Sequence, residues 1–220
     1  MRVLRLMLAN NSSPIFHYWA GKHPEKVGWL VGPKAMGKTR LWNWVTYAMD
    51  NDAYTAWQNG EEWDEEAFYG AMDAARLAAR KPEWVAVPDV VGDRSATITR
   101  WGEHYDRVRS YGWPVAFVVQ DGMVPGDVPN EADVVFVGGS DQQNWKWRNA
   151  HIFCENFDRV HIGRVNGLRR LRYSERIGAE SVDGTGWFRE GADGLKMDGL
   201  NGWLNGLPDM QEELVFNYGK

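Results

Sequence analysis

Residues 161–187 read HIGRVNGLRRLRYSERIGAESVDGTGW. The stretch begins as a short apolar strand that turns polar at Arg164 and Asn166, and continues as an arginine-rich helix. It ends in a second short strand that delivers Asp183 into a turn bracketed by Gly184 and Gly186. Strand, helix and strand in succession form one βα unit, and such units pair their strands in parallel. A carboxylate at a strand end, flanked by glycines, can be approached closely. An arginine-studded helix just before it suits phosphate.

The same alternation runs through the chain. Val3–Ala9, Val27–Val31, Thr46–Met49, Trp84–Val87, Pro114–Val119, Asp133–Val137, Arg159–Arg164 and Glu180–Val182 read as strands. Helical spacing of apolar residues is expected after Ser12, from about Asp64 to Arg80, from Ser95 to about Ser110, and over NWKWRNAHIFCENF and LRRLRYSERIG. Eight βα units in one chain predict a (β/α)8 TIM-like barrel, a single catalytic domain over residues 1–220. Its site is expected at the carboxyl ends of the strands, where Asn10, Lys34, Asp50, Asp89, Gln120, Gly138, Gly139, Asn166 and Asp183 fall. The tail, with GLNGWLNGLPDMQEELVFN, reads as a closing helix without chemistry.

Composition bounds the rest. A chain of 220 residues, 44% hydrophobic, can bury one sizeable core. The lone cysteine, Cys154, excludes a disulfide framework and a multi-cysteine zinc site; it fits a reducing cytoplasm, and no metal or cofactor is called for. No apolar run reaches membrane-spanning length. With net charge −5, a nucleic-acid partner has to meet a local basic patch. The 13 tryptophans serve as core and surface aromatics or as stacking platforms for bases. His161, inside a strand, reads as a hydrogen-bonded structural histidine and Cys154 as a buried, inert thiol.

One motif competes with the barrel site. Gly32–Thr39, GPKAMGKT, fits the phosphate-cradling pattern G-x-x-x-x-G-K-[ST], with Lys38 for phosphate and Thr39 for magnesium. It follows a second strand rather than a first, and the one metal-aspartate candidate, WVAVPD, carries a proline in the strand end. A nucleotide kinase or other NTPase is therefore one alternative; a non-catalytic nucleic-acid-binding barrel is the other.

The order of motifs from 47 to 187 resembles the tRNA-guanine transglycosylase superfamily, and most closely its short DpdA-like, DNA-acting branch. YAMDNDAY (47–54) resembles the segment that implies an acid/base role for Asp50, with Asn51 beside it at the base. VPDVVGD (87–93) implies that Asp89 reads the base, FVVQDG (117–122) that Gln120 contacts it, and VFVGGS (135–140) that Gly138 and Gly139 lie against it. HIGRVNG and GAESVDGTGW resemble the last two strands, and the resemblance makes Asp183 the nucleophile. The chain lacks the cysteines of the zinc insertion of the tRNA enzymes, which speaks against tRNA as substrate and against the family's dimer; a monomer is expected. Asp52 stands where the family prefers glycine.

The activity implied is cleavage of the N-glycosidic bond of a particular base in DNA, by excision or by exchange with a free nucleobase. The base has to be flipped out of a duplex, or presented on a single strand, and stacked on an aromatic such as Trp57, Trp145 or Trp187. Arg164, Arg169, Arg170 and Arg172, with Lys146 and Arg148, form the densest basic region and are the candidates for the nucleic-acid backbone; a solvated helix face is the competing reading.

Overall fold

In the computed structural model, eight parallel strands close into one barrel in the order β1-β2-β3-β4-β5-β6-β7-β8, with helices between them. The structure describes residues 3–9, 14–36, 43–140, 144–187 and 194–207, with side chains of the last helix from residue 198 onward. Asn10, the Gly37–Thr39 half of GPKAMGKT and the tail beyond Leu207 lie outside the described residues.

The strands are β1 Arg5–Ala9, β2 Val27–Val31, β3 Tyr47–Met49, β4 Val85–Ala86, β5 Val115–Val119, β6 Val134–Val137, β7 Val160–Ile162 and β8 Ser181–Gly184. The helices are α1 Pro14–Lys22, α2 Pro33–Met36, α3 Ala53–Asn59, α4 Glu65–Leu77, α5 Arg94–Arg109, α6 Trp145–Asn156, α7 Leu168–Arg176 and α8 Gly194–Leu204. Strands such as VGWLV and VAFVV are buried at every position because helices cover one face and the lumen the other. Asp64 and Asp93 start α4 and α5 by accepting the backbone N–H of Ala67 and Ala96, each at 2.9 Å.

Two differences from the expected elements matter. β8 continues through Asp183 to Gly184 instead of ending at Val182, so the carboxylate belongs to the strand. A helix, α3, follows β3 after three residues; seven residues make barely two turns, too short for a period to announce it.

Two apolar layers result. The outer one packs strands against helices and includes Trp29, Phe68, Phe117 and Phe153. The inner one fills the lumen with Met7, Leu30, Ala48, Trp84, Ala86, Ala116, Val118, Val134 and Phe136. Trp84, Phe136 and His161 meet in the middle, with ring centroids 4.5–5.8 Å apart. At the amino ends of the strands Arg159 grips Glu180 through Nε and Nη2 at 2.8–3.2 Å, and Arg5 pairs with Glu83 at 2.6 Å. Trp84→Ala would leave a void in a lumen that no helix can collapse into. It should cost about 3–5 kcal/mol, read as a lowered urea midpoint with unchanged slope.

Candidate active site

The carboxyl ends of the strands surround a cavity of about 780 Å³. Its lining includes Asp50, Asn51, Asp89, Gln120, Gly138, Gly139, Arg164, Asn166, Arg170 and Asp183. Residues named from six separate strand ends, 133 positions apart at the extremes (50 to 183), thus converge on one space.

Asp183 sits at the floor. The alternation of β8 points Ser181 and Asp183 to the same side, and the register of β7 sets His161 opposite Ser181. His161 lies between them, Nδ1 2.8 Å from Ser181 Oγ and Nε2 3.1 Å from Asp183 Oδ2. With Asp183 ionised, Nε2 carries the proton and donates it, leaving Nδ1 to accept from the Ser181 hydroxyl. The other carboxylate oxygen, Oδ1, accepts the Arg164 backbone N–H at 3.2 Å.

Asp89, Asn51 and Gln120 form a second, buried cluster. Asn51 Nδ2 donates to Asp89 Oδ1 at 2.8 Å and to Val87 O at 3.0 Å; Gln120 Nε2 donates to Asp89 Oδ2 at 2.7 Å. The amide oxygens are held in turn, Asn51 Oδ1 by Ala53 N–H at 2.8 Å and Gln120 Oε1 by Gly92 N–H at 2.9 Å. Both amides are therefore fixed in orientation by the backbone. Burial pushes Asp89 up to about 6, against the pull of these two donors and of Arg100 and Arg164. Asp50, whose Oδ1 accepts the Asn51 N–H at 2.9 Å, is raised well above the ordinary carboxylate range. Removal from water is the main cause, and Asp52, Asp183 and Asp89 add to it.

The rim is cationic and aromatic. Arg164 has φ 60, a left-handed conformation that costs a non-glycine residue on the order of 1 kcal/mol. Its guanidinium lies 3.9 Å from the ring centroid of Tyr54 and donates to the carbonyls of Gly138 and Gly139. Strands β3 and β7 are opposite in an eight-stranded barrel, so this side chain reaches across the mouth to α3. A Cβ at Gly138 would stand 2.7 Å from Val118 Cγ1, so only glycine lets β6 approach there.

Several expected residues are elsewhere. Lys146 does not face solvent: it is fully buried and its Nζ donates to Gly163 O at 2.8 Å, so it is not a phosphate contact. Arg172 turns away from the cavity to Leu207 O at 2.6 Å and Glu175 at 3.6 Å. Arg169 and Arg148 are exposed on α7 and α6 and do not line the cavity. Trp187 is buried with Nε1 donating to Val165 O at 2.7 Å, and Trp145 packs on Phe153, so neither offers a free face to the cavity; Trp57 is exposed on α3 beside it. Lys34 reaches Glu61 at 3.1 Å outside the site. Burial pushes the Cys154 thiol up to about 12, as an inert residue should behave.

The described half of GPKAMGKT is no open phosphate cradle. The Lys34 N–H donates to Asp52 Oδ2 at 3.2 Å, and the Ala35 and Met36 N–H groups close back on Gly32 O at 3.0 and 3.1 Å. Among the described residues no group of three or more His, Cys, Asp or Glu side chains is set to hold a metal ion, and no helix is long and apolar enough to cross a membrane.

Tyr54, His161 and Ser181 belong to the site and were not named for it by motif reading. The usable signal was alternation: a histidine and a serine each stand two residues before a strand-end position that faces the lumen.

The fold and site together define a (β/α)8 barrel with its polar cavity at the carboxyl face. No described protein family and no curated protein matches the chain by sequence. Among solved structures, phosphoribosyl anthranilate isomerase from Thermus thermophilus superposes with a TM-score of 0.53 at 12% identity, over 92% of this chain and 98% of that one. The enzyme of that name from Thermococcus kodakaraensis gives 0.47 at 10% identity, over 93% and 100%. The first likeness shows the barrel fold.

A raised carboxyl pKa has a defined effect on stability. The folded protein holds the Asp89 proton more tightly than the unfolded chain, whose value is near 3.8. Stability should therefore fall as pH rises from about 4 through about 6, and the penalty should persist above. Urea unfolding of wild type and Asp89→Asn across that window checks this: the wild type should lose more stability than the variant, and parallel curves would refute it.

Proposed function

We propose that the barrel cleaves the N-glycosidic bond of a nucleotide in DNA, with Asp183 as the attacking carboxylate. The observation that carries this reading is the pairing of two unlike carboxyl groups in one cavity. Asp183 is held at Oδ1 by the Arg164 N–H and at Oδ2 by the His161 ring nitrogen, whereas Asp50 is pushed toward its protonated form. Departure of a base from C1′ requires that division of labour. An oxygen lone pair of Asp183 forms a bond to C1′ as the C1′–N bond breaks. The bonding pair passes to the base nitrogen, and the Asp50 proton neutralises the charge that develops on the base. Water or a second base then attacks C1′ as the C1′–O bond to Asp183 breaks and returns its pair to the carboxylate, and the attacking group's proton passes to the Asp50 carboxylate left by the first step.

The remaining residues support a base-sized ligand. Asp89, Asn51 and Gln120 line one side with polar atoms held in fixed orientation, and the glycine pair leaves room for a flat ring. Tyr54, rather than any of the described tryptophans, supplies an aromatic face in the cavity, one side of which the Arg164 guanidinium covers. Arg170 lines the mouth and Arg169 and Arg148 are exposed on the neighbouring helices, which suits phosphates that stay outside. This agrees with the resemblance of the strand-end motifs to the DNA-acting transglycosylases.

Oligonucleotides carrying guanine or 7-deazaguanine, single-stranded and duplex, test the reading by chromatography of released base. Asp183→Asn should lose about a thousandfold or more in rate while keeping its fold. Asp50→Asn should lose about 10²- to 10⁴-fold. Wild-type activity should fall as pH rises through the elevated Asp50 value, because the acid then arrives deprotonated, and Asp50→Asn should lack that alkaline limb. Release that is untouched by Asp183→Asn, or no release together with ATP turnover abolished by Lys38→Ala, would sink it.

A further inference from the structure

We propose that Lys146 is a positioning residue for the Asp183 carboxylate and acts through the single peptide group that joins Gly163 to Arg164; this rests on Asp183 being the attacking carboxylate. The Lys146 ammonium, at the start of α6, donates to Gly163 O at 2.8 Å. The N–H at the opposite end of the same peptide, that of Arg164, donates to Asp183 Oδ1 at 3.2 Å. In a planar trans peptide the C=O and N–H point in opposite directions, so a cation on the oxygen and an anion on the hydrogen lie on one axis. Each strengthens the other, because charge at the carbonyl makes the N–H a better donor.

Three further features make this arrangement hard to read as simple packing. Lys146 is fully buried at 0% exposure, where an ammonium is costly and a methionine of similar shape would cost little. The peptide it grips precedes Arg164, whose φ of 60 is unfavourable for a side-chain-bearing residue, so the peptide plane has a tendency to rotate that the ammonium opposes. Glycine at 163 is required for the approach: a Cβ there would stand 2.7 Å from Phe136 Cε2 and 3.2 Å from Asp183 Oδ2. Since His161 holds Oδ2, loss of the Arg164 donor would free the carboxylate to swing about its remaining contact.

The Arg164 backbone amide, observed in proton–nitrogen NMR spectra of the whole protein, reports on this linkage without any substrate. Asp183→Asn and Lys146→Met should each move that resonance upfield. On a duplex carrying 7-deazaguanine, Lys146→Met should lower kcat about ten- to a hundredfold with KM within about twofold, as displacement of a reacting group does. A folded Lys146→Met protein whose Arg164 amide stays in place, or whose loss is carried by KM, overturns the proposal. If Lys146→Met does not fold, Lys146→Gln is read the same way. If neither folds, scalar coupling across the hydrogen bond from Lys146 Nζ to the Gly163 carbonyl carbon in the wild type decides, its presence supporting the linkage and its absence overturning it. Should wild type release no base while the Arg164 amide still follows Lys146, the glycosidic reading falls and the linkage stands. Base release with an amide indifferent to Lys146 gives the reverse.

Discussion

Pairing of β8 with β1, in which Met7 lies beside Asp183 and Leu8 beside Gly184, closes the barrel, and the cavity depends on that register. Side chains alternate along a strand, so a slip of one residue would turn Ser181 and Asp183 outward to the helices and Val182 into the lumen. In the observed register the inward side of β7 and β8 is His161, Ser181 and Asp183, and it meets Trp84, just before β4, and Phe136 of β6. These aromatics fill the space beneath the carboxylates and keep water from them on that side. The elevated values of Asp50 and Asp89 are thus a consequence of how the lumen is filled as much as of the residues' own neighbours.

Much of this was legible from local pattern. Apolar runs such as Val115–Val119 can only be strands covered on both faces, and a series of them separated by amphipathic stretches leaves few folds to consider. Once strands are placed, their polar ends identify Asp50, Asp89, Gln120, the glycine pair and Asp183 as neighbours. What local pattern does not carry is direction. Lys146 and Arg148 sit two residues apart in the same basic segment, yet one is buried against the Gly163 carbonyl and the other is exposed, because α6 turns them to different faces. Likewise GPKAMGKT satisfies a phosphate-loop pattern while an aspartate 18 residues beyond Lys34 takes up the Lys34 amide. Tyr54 stayed hidden for a related reason, since its place at the cavity comes from a seven-residue helix and from a guanidinium that reaches it across the barrel.

On the proposed reading the charge balance of the cavity also has a rationale. Three aspartates facing one space in a chain of net charge −5 would repel a phosphodiester if all were ionised. Burial and mutual repulsion hold Asp50 toward its neutral form, and Asp89 is drawn toward neutrality at about 6. Asp183 stands at the floor, where a developing cation at C1′ needs a carboxylate, and the donor side of the cavity is left to hydrogen bonding. Cationic groups, Arg164 and Arg170, stand at the mouth instead. An uncharged base can enter such a gradient while its flanking phosphates remain outside with the arginines, so the depth at which each charge is placed, more than the net charge of the chain, favours a flipped base over a free nucleotide.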